Sequence, residues 1–520
     1  MQSFVQDFRK DAPFLLAILL TAISIRVYFF AGYVGLDDGE YSRFAYELAE
    51  GRFAVGTYGG PAVFPLRIGV IAPASWAIRV WGVGEWSVAI YPLLLSIVGI
   101  LLSYFCASIL FNHRVGLIAA AVHAIVPLEV NNATVLYPDL PAAVFASLGV
   151  VAVIVLMRGI IESKAVLFAG GSFAGLAFGV SWLCKETVAY FVLTCAVFMI
   201  MSLKRSWPSA VVLWTGVALG AILVLGGEMV AYHHLTGDLF YRFHEIERNY
   251  SQWQNGFFTE GSNWGWPKGG SRTVALMKRL FLKGPEFLLV NSAFLFLPLL
   301  GIIACVHAFS WKDRTFLIPS IWLITLLLMF NFASSSRASY SPLPLFERYF
   351  YPVIFPSVLL VSGLLGRLIC PDESGEEVRR ERMFWGAVLI SCVLVVGGAS
   401  LYWQERLPLK WTSEIRAISS IIKPSSRLYA DSLTLRGLEF FGGYPPHTTW
   451  LDFEAVDSTD DIQAGSLVMV NSRYLQWLNI NKGMWLSKSS GYKSHGFYEH
   501  PPLSWKKMFE NGNAVLYEVR

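Results

Sequence analysis

The sequence predicts an all-α polytopic membrane bundle of about eleven transmembrane helices, followed by a small soluble α/β domain. Of the 520 residues, 55% are hydrophobic and only 15% are charged, with a mean hydropathy of +0.50, which excludes a soluble globular protein. Apolar runs of about 20 residues, long enough to cross a bilayer, recur along most of the chain. Near Leu407 the composition changes to short apolar runs separated by Gly, Pro, Asn and Asp, which is typical of a soluble domain.

Eleven apolar segments are candidate spans, and short basic connections lie on one side of them. By the positive-inside rule that side is the cytoplasm, so the N-terminus lies inside and, after an odd number of spans, the C-terminal domain lies outside. The first segment is long enough to remain as a spanning helix rather than a cleaved signal. The segments are approximately 12–31, 86–110, 115–131, 140–158, 166–184, 187–203, 208–231, 286–309, 315–333, 350–369 and 383–402.

This topology predicts two domains. Residues 1–405 form the transmembrane domain, with long outer loops at 32–85 and 232–285, and residues 406–520 form an extracytoplasmic α/β domain. The second domain contains no nucleophile elbow, phosphate loop or zinc pattern. We therefore predict an accessory domain rather than a second enzyme.

Composition also argues against several partners and prosthetic groups. The basic residues are scattered in short loops and form no continuous face, which argues against a nucleic-acid partner. The six Cys lie mostly in apolar runs and have neither metal spacing nor a disulfide framework. His233-His234 with Asp238 matches no standard metal site. Few charges fall inside the spans, and the main exception, Arg26, is predicted to snorkel outward from a helix end.

The first outer loop carries the strongest candidate for chemistry. Asp37, Asp38 and Glu40 lie within four positions directly after the first span. One interpretation is structural: Asp37 or Asp38 caps the short helix that follows. The other is catalytic, because carboxylates at a membrane face are costly unless they meet water, metal or a reacting group. We predict that Asp37 is a general base and that Asp38 assists it or caps the helix, and we expect neighbouring acids to raise one another's pKa.

The other outer connections carry the remaining candidates. Asp139, at the mouth of the fourth span, either caps that helix or faces the acidic first loop across a cavity. Lys185 and Arg348 lie at outer helix ends, with Arg67 expected nearby, and these cations either snorkel or clamp a phosphoryl group. Glu186 either holds Lys185 in place or orients an acceptor.

The order and placement of these motifs resemble the GT-C superfamily of membrane glycosyltransferases. The resemblance is nearest to glycosyltransferase family 39, the protein mannosyltransferase and lipid A aminoarabinose transferase branch, and it covers about residues 14–356. The matching motifs are DDGEY…A…LAEG, RIG, VWGVGEWS, YFCASILFNHRVGLIAAAVHAIVP, LYPDLPAAVFA, GLAFGVSWLCKE, HHLTGDLF and ERYFYPVIFP.

The resemblance implies roles for individual residues. Asp37 matches the acidic catalytic position of the first outer loop, where this chain has Asp-Asp in place of the usual Asp-Glu. Asp139 matches the second acidic position, and Lys185 and the arginine of the Arg348-Tyr349 pair are implied to contact a lipid phosphate. The predicted catalytic residues are therefore Asp37, Asp38 and Asp139, and the predicted substrate-binding residues are Arg67, Lys185, Glu186, Arg348 and Tyr349.

The resemblance further implies an inverting transfer of a sugar from a polyprenyl-phosphate donor to a lipid, glycan or protein acceptor outside the cytoplasm. Metal use varies in the family, so no metal or other cofactor is predicted to be essential, with a divalent metal as the alternative. The predicted location is a bacterial plasma (inner) membrane. Two other functional classes stay open: a membrane lipid or solute transporter (flippase), and a non-catalytic assembly subunit.

Overall fold

The structure is a computed structural model. It describes residues 2–55, 63–158, 163–257, 272–310, 313–334, 340, 342–369, 395, 397–399, 408–446, 449–452, 456, 459–473 and 500–520. Most of the predicted span at 383–402 and part of the predicted outer loop at 232–285 lie outside these residues.

The membrane region is built from sixteen α-helices among the described residues. Side chains at helix starts satisfy free backbone N–H groups at several of them; Asn112, for example, accepts from the N–H of Val115 at 3.1 Å. The helices are α1 (Gln2–Tyr28), α2 (Asp37–Ala49), α3 (Ile68–Trp81), α4 (Glu85–Leu110), α5 (His113–Ala124), α6 (Pro127–Asn132), α7 (Asp139–Arg158), α8 (Lys164–Cys184), α9 (Val192–Arg205), α10 (Trp207–Thr236), α11 (Tyr241–Phe257), α12 (Arg272–Lys278), α13 (Gly284–Leu289), α14 (Leu297–Ser310), α15 (Leu317–Phe332) and α16 (Ile354–Ile369).

Eight helical segments of the described chain are long and apolar enough to cross a membrane. Together they identify an integral membrane protein, as predicted. The predicted number of eleven spans stays a prediction, since the segment at 286–309 is divided between α13 and the short apolar α14. The eight segments are Phe8–Tyr28, Glu85–Leu110, Asp139–Arg158, Lys164–Cys184, Glu186–Arg205, Trp207–Thr236, Arg314–Phe332 and Glu347–Ile369.

The predicted span at 115–131 is wrong as a single helix. α5 ends at Ala124, and α6 begins at Pro127, which has no N–H to donate to the preceding turn. Val126, directly before the proline, is extended with ψ 121°, as expected for a residue whose helical conformation clashes with the proline ring. The break allows the chain to enter a buried connection that leads to α7.

Close packing between α8 and α10 depends on glycine. A Cβ at Gly175 would lie 2.1 Å from the carbonyl oxygen of Val217, and one at Gly220 would lie 2.1 Å from that of Ser172. Small residues allow membrane helices to approach closely and to gain van der Waals contact where the hydrophobic effect is weak. α16 is the central helix of the bundle, because its residues from Ile354 to Gly366 are all buried.

The C-terminal region contains a five-stranded sheet with two helices, which confirms its predicted α/β character. The elements are α17 (Pro408–Ser419), β1 (Leu428–Ala430), α18 (Ser432–Phe441), β2 (Trp450–Asp452), β3 (Leu467–Asn471), β4 (Lys506–Asn511) and β5 (Ala514–Glu518). The strand order is β2-β1-β3-β5-β4; β1 pairs in parallel with β2 and β3, whereas β5 pairs antiparallel with β3 and β4. The predicted boundary after residue 405 stays a prediction.

The C-terminal domain packs on the first outer loop through α18. The ring of Tyr33 stacks on that of Phe440, with the ring centroids 4.1 Å apart and both side chains buried. Arg436 of α18 forms an ion pair of 2.7 Å with Glu40 of α2. The domain that the sequence predicts to be accessory therefore helps to hold the loop that carries the acidic residues.

The prediction that Arg26 snorkels outward is wrong. Arg26 is fully buried; its Nε donates to Ser96 Oγ at 2.6 Å, and its Nη1 donates to the carbonyl oxygen of Ala124 at 2.9 Å. Glu129 of α6, also fully buried, lies 3.9 Å from Arg26 Nη2 and 3.5 Å from His123 Nε2. Burial of a guanidinium is tolerated here because these polar groups surround it. The cluster links α1 to α4, α5 and α6.

We expect Glu129→Gln to destabilise the protein by about 3–5 kcal/mol, because the substitution keeps the shape and leaves the buried Arg26 guanidinium without a carboxylate. Thermal unfolding in detergent measures the loss. Glu518→Gln is the matched control, since Glu518 forms a half-exposed ion pair of 3.8 Å with Lys506 and should change stability by less than about 1 kcal/mol. Equal stability of the two variants would contradict the buried ion pair.

Candidate active site

The adjacent residues Asp37 and Asp38 of the first outer loop lie in different environments. α2 begins at Asp37, and neither aspartate caps the helix through its side chain. The buried Asp38 instead accepts hydrogen bonds from three backbone N–H groups, those of Val34 (2.6 Å), Gly35 (3.2 Å) and Leu36 (2.8 Å). Asp37 is left to face the site. The geometry thus favours a structural role for Asp38 over the predicted catalytic one.

We expect Asp38→Ala to loosen the loop before α2, because three buried N–H groups would lose their acceptor, at a cost of about 1–3 kcal/mol. Faster hydrogen–deuterium exchange of residues 33–49 is the readout. Asp38→Asn, which retains one acceptor oxygen, should show a smaller increase. Exchange of the alanine variant at the wild-type rate would contradict the role of Asp38 in holding the loop.

Asp37 pairs with an arginine that is distant in sequence. Arg348 is the second residue of the span Glu347–Ile369, and its Nη2 lies 2.5 Å from Asp37 Oδ2. The guanidinium also lies over the ring of Tyr137, 4.7 Å from the centroid, and 5.5 Å from the centroid of Tyr349. Aromatic faces attract a cation and restrict its orientation. The Asp37 side chain keeps about a third of its surface exposed, so the pair is accessible from outside the bundle.

Lys185 and Asp139 form a second, more deeply buried pair. Lys185 follows the last residue of α8, and its Nζ donates to Asp139 Oδ1 while lying 3.8 Å from the centroid of the Tyr349 ring. Among the described residues, the other oxygen of Asp139 has no hydrogen-bond partner. Burial lowers the pKa of Lys185 to about 8, although the charge of Asp139 opposes that shift. Asp139 is therefore a partner of the lysine in addition to lying at the start of α7.

Arg67 and Glu186 belong to a third group that extends away from Asp37. Arg67 Nη2 lies 3.0 Å from Glu186 Oε1, and its Nη1 donates to the hydroxyl of the buried Tyr41. Arg242 of α11 lies 4.0 Å from Glu186 and forms a 2.5 Å ion pair with Glu228 of α10. The loop before α3, the end of α8 and α11 are thereby held together by alternating charges.

The electrostatics of the first loop differ from the prediction that neighbouring acids raise one another's pKa. For Asp37 that prediction is wrong: burial favours the neutral acid, but Arg348, Arg67 and Lys185 outweigh it and hold the pKa below its ordinary value. For Asp38, burial raises the pKa to about 6, with a smaller contribution from the charge of Asp37. Asp37 thus has the lower pKa of the two and is ionised at neutral pH.

The structure brings together all the predicted site residues except Asp38, whose carboxylate faces its own loop. The cations Arg67, Lys185 and Arg348 all act on the carboxylate of Asp37. Their catalytic and binding roles stay predictions. The arrangement itself has two chemical capacities: a partly exposed, ionised carboxylate that can accept a proton, and three cations that can bind an anionic group beside it.

Sequence reasoning missed Tyr137, Arg242 and Glu228. Glu228 lies within an apolar run, where a carboxylate is energetically costly unless it is paired. A paired partner for Glu228 could therefore have been predicted from the sequence. Arg242 is one of several charges on α11, and nothing in the sequence distinguishes it from the exposed ones. Tyr137 lies in the LYPDLP motif, but its contact with Arg348 depends on the tertiary fold.

Metal binding has no clear site in the described part of the chain, where no group of three or more His, Cys, Asp and Glu side chains is placed to hold an ion. Asp238 pairs with His244, 2.7 Å from its Nδ1, rather than with a group suited to a metal. That no cofactor is essential stays a prediction.

The chain was compared with known protein families, curated proteins and solved structures. Residues 71–226 match the model of the dolichyl-phosphate-mannose-protein mannosyltransferase family. No curated protein matches the chain significantly in sequence.

Two solved structures are similar over almost the whole chain. ArnT from Cupriavidus metallidurans in the apo state is 16% identical, with a TM-score of 0.59, and the match covers 98% of each chain. The same protein bound to undecaprenyl phosphate is 16% identical, with a TM-score of 0.60 and 97% of each chain covered. This likeness establishes a shared fold. The chain therefore shares its fold with ArnT over nearly its full length, and residues 71–226 within its membrane region are similar to the mannosyltransferase family.

Proposed function

We propose that this protein transfers a sugar from a polyprenyl-phosphate-linked donor to an acceptor at the membrane face that carries Asp37. The observation that carries the proposal is the placement of one ionised, partly exposed carboxylate among Arg67, Lys185 and Arg348. The match of residues 71–226 to the dolichyl-phosphate-mannose-protein mannosyltransferase family, and the similar ArnT structure bound to undecaprenyl phosphate, support a lipid-linked donor. The acceptor class is a lipid, glycan or protein.

The proposed chemistry follows from the charges. Asp37 takes the proton of the acceptor as its nucleophilic atom attacks the anomeric carbon. The bond from that carbon to the phosphate oxygen breaks, and its electron pair leaves with the phosphate. Lys185, Arg67 and Arg348 stabilise the charge that develops on the phosphate, so the leaving group needs no proton. Attack from the side opposite the phosphate inverts the anomeric configuration.

The ion pair between Arg348 and Asp37 implies that the donor binds before Asp37 acts as a base. Before the donor binds, Arg348 is engaged by Asp37 and makes this carboxylate a weak base. A donor phosphate competes with Asp37 for the same guanidinium, because arginine binds phosphoryl oxygens strongly. Loss of the pairing returns the pKa of Asp37 towards its ordinary value. The base is therefore strongest when the donor is in place.

This exchange predicts a donor-dependent pH profile. The acid limb of kcat/KM for the donor reports the free enzyme, and that of kcat reports the donor complex. Since the pKa of Asp37 is lowered in the free enzyme and rises on donor binding, we expect the kcat inflection at the higher pH. Arg348→Gln should reduce the gap between the two inflections. A kcat inflection at or below that of kcat/KM would contradict the exchange.

We also propose the orientation and domain division predicted from the sequence. The short basic connections support a cytoplasmic N-terminus, with the site and the C-terminal domain on the outer face of a plasma (inner) membrane. Residues 1–405 would then form the catalytic membrane domain and residues 406–520 the outer domain. The transporter alternative receives no support from the family match or the shared fold.

Lipid mass spectrometry on the source cell tests the proposal. A strain that lacks this gene should accumulate a polyprenyl-phosphate sugar, and the wild-type gene should remove it. The mass of the accumulated lipid gives the sugar class. An unchanged lipid pool would overturn the assignment of the donor.

A further inference from the structure

A cavity lies at the membrane face opposite the candidate active site. α7 begins at Asp139, in the site, and ends at Arg158, while α8 runs back from Lys164 to Cys184, directly before Lys185. The span that begins at Glu186 ends in α9. The C-terminal ends of α7 and α9 and the N-terminal end of α8 therefore share one face, about one bilayer thickness from Asp139.

The cavity has a volume of about 340 Å³ and is bounded by α7, α8, α9, α10 and the start of α15. Its wall is mainly apolar, and its polar part is formed by two arginines and three serines. The apolar side chains include Leu156, Leu167, Leu213 and Ile318. Val166 and Val211, each next in sequence to a lining residue, expose about half of their surface. The cavity thus combines a polar part with an apolar wall.

The two arginines are held in place by backbone carbonyl groups. Arg158 Nη1 donates to the carbonyl oxygens of Ile109 (2.6 Å) and Leu110 (3.0 Å), and Arg205 Nη1 donates to that of Met157 (2.5 Å). These bonds orient each guanidinium, and within the described part of the chain they use one of its three nitrogens. The described lining of the cavity contains no carboxylate. Two fixed positive charges therefore face an apolar cavity with no acidic residue in that lining to balance them.

We propose that this cavity binds an anionic glycerophospholipid from the leaflet opposite the active site. The phosphate would contact Arg158 and Arg205, since guanidinium groups match phosphoryl oxygens in charge and geometry. The hydroxyls of Ser206 and Ser209, which also line the cavity, would donate to the headgroup. An acyl chain would lie along the leucines of the wall. A soluble anion would use the arginines but not the apolar wall.

Native mass spectrometry of the full-length protein tests this assignment. The protein would be taken up from phosphatidylcholine vesicles with and without phosphatidylglycerol, and the retained lipids counted. Wild type is expected to retain one phosphatidylglycerol in preference to phosphatidylcholine. R158Q/R205Q should lose that preference by about tenfold, as expected for two arginines near an anionic headgroup. R114Q/R367Q, with the same charge change on the same face outside the cavity, should keep it.

A second variant and a competitor keep the test decisive. Ser209→Phe fills the cavity without altering either arginine, and it should also lose the lipid. Inorganic phosphate should not displace the bound lipid, whereas displacement would identify a soluble anion as the occupant. Absence of any preference in wild type, or an equal loss in R114Q/R367Q, would overturn the proposal. None of these measurements depends on transferase activity.

Discussion

Replacing Asp37 with asparagine is expected to lower kcat by about 10²–10⁴-fold, the range typical for loss of a general base. The amide keeps the size of the side chain but cannot take the acceptor proton. The donor KM should stay the same or fall, because Arg348 loses its carboxylate partner and becomes available to the phosphate. Steady-state kinetics of the purified protein, with donor and acceptor varied separately, measures both parameters.

Glu40→Gln is the matched control for this substitution. Glu40 lies one turn further along α2 and pairs with Arg436 and Arg43 instead of with the cations of the site. Its amide variant removes the same charge from the same helix and should keep kcat within about threefold, as expected for partly exposed ion pairs. Full activity of Asp37→Asn would contradict the assignment of Asp37 as the base.

Replacing Lys185 with methionine is expected to affect both donor binding and stability. The variant leaves Asp139 buried without its cation, which costs about 3–5 kcal/mol. It also removes a cation that the proposed mechanism places on the donor phosphate, so the donor KM should rise and kcat should fall. Thermal unfolding and transfer kinetics on the same preparation record the two effects.

The double variant K185M/D139N separates the two effects. It removes both charges, so much of the lost stability should return, because a neutral pair needs no compensating ion. Transfer activity should not return, since the phosphate still lacks the lysine. Recovery of activity together with stability would show that Lys185 is only structural and would contradict its role in donor binding.

The hydrophobic patterning predicted most of the membrane region, because the length of an apolar run is a local property of the sequence. The division of the predicted span at 115–131 could also have been predicted from the sequence, since Pro127 cannot continue a helix. The burial of Arg26 could not be predicted from the sequence. Its partner Glu129 lies about a hundred positions away, and only the packing of α1 against α6 brings the two within 3.9 Å.

The sequence predicted most of the residues that form the site, but it did not predict which of them pair with each other. Topology placed Asp37, Arg67, Lys185 and Arg348 at one face, because the loops that carry them share a side of the membrane. Asp37 and Asp38 are identical in side chain and adjacent in sequence, and what distinguishes them is the three backbone N–H groups that surround Asp38. That difference depends on the conformation of the loop backbone, which cannot be predicted from the pattern of side chains.

The most direct test of the central claim is transfer by the purified protein in vitro. The donor would be the lipid that accumulates when the gene is deleted, and the products would be followed by release of polyprenyl phosphate and by the anomeric configuration of the transferred sugar. We predict acceptor-dependent release by wild type with inversion at the anomeric carbon, and at most about one hundredth of that rate for Asp37→Asn. Retention of configuration, or equal rates for the two proteins, would contradict the account.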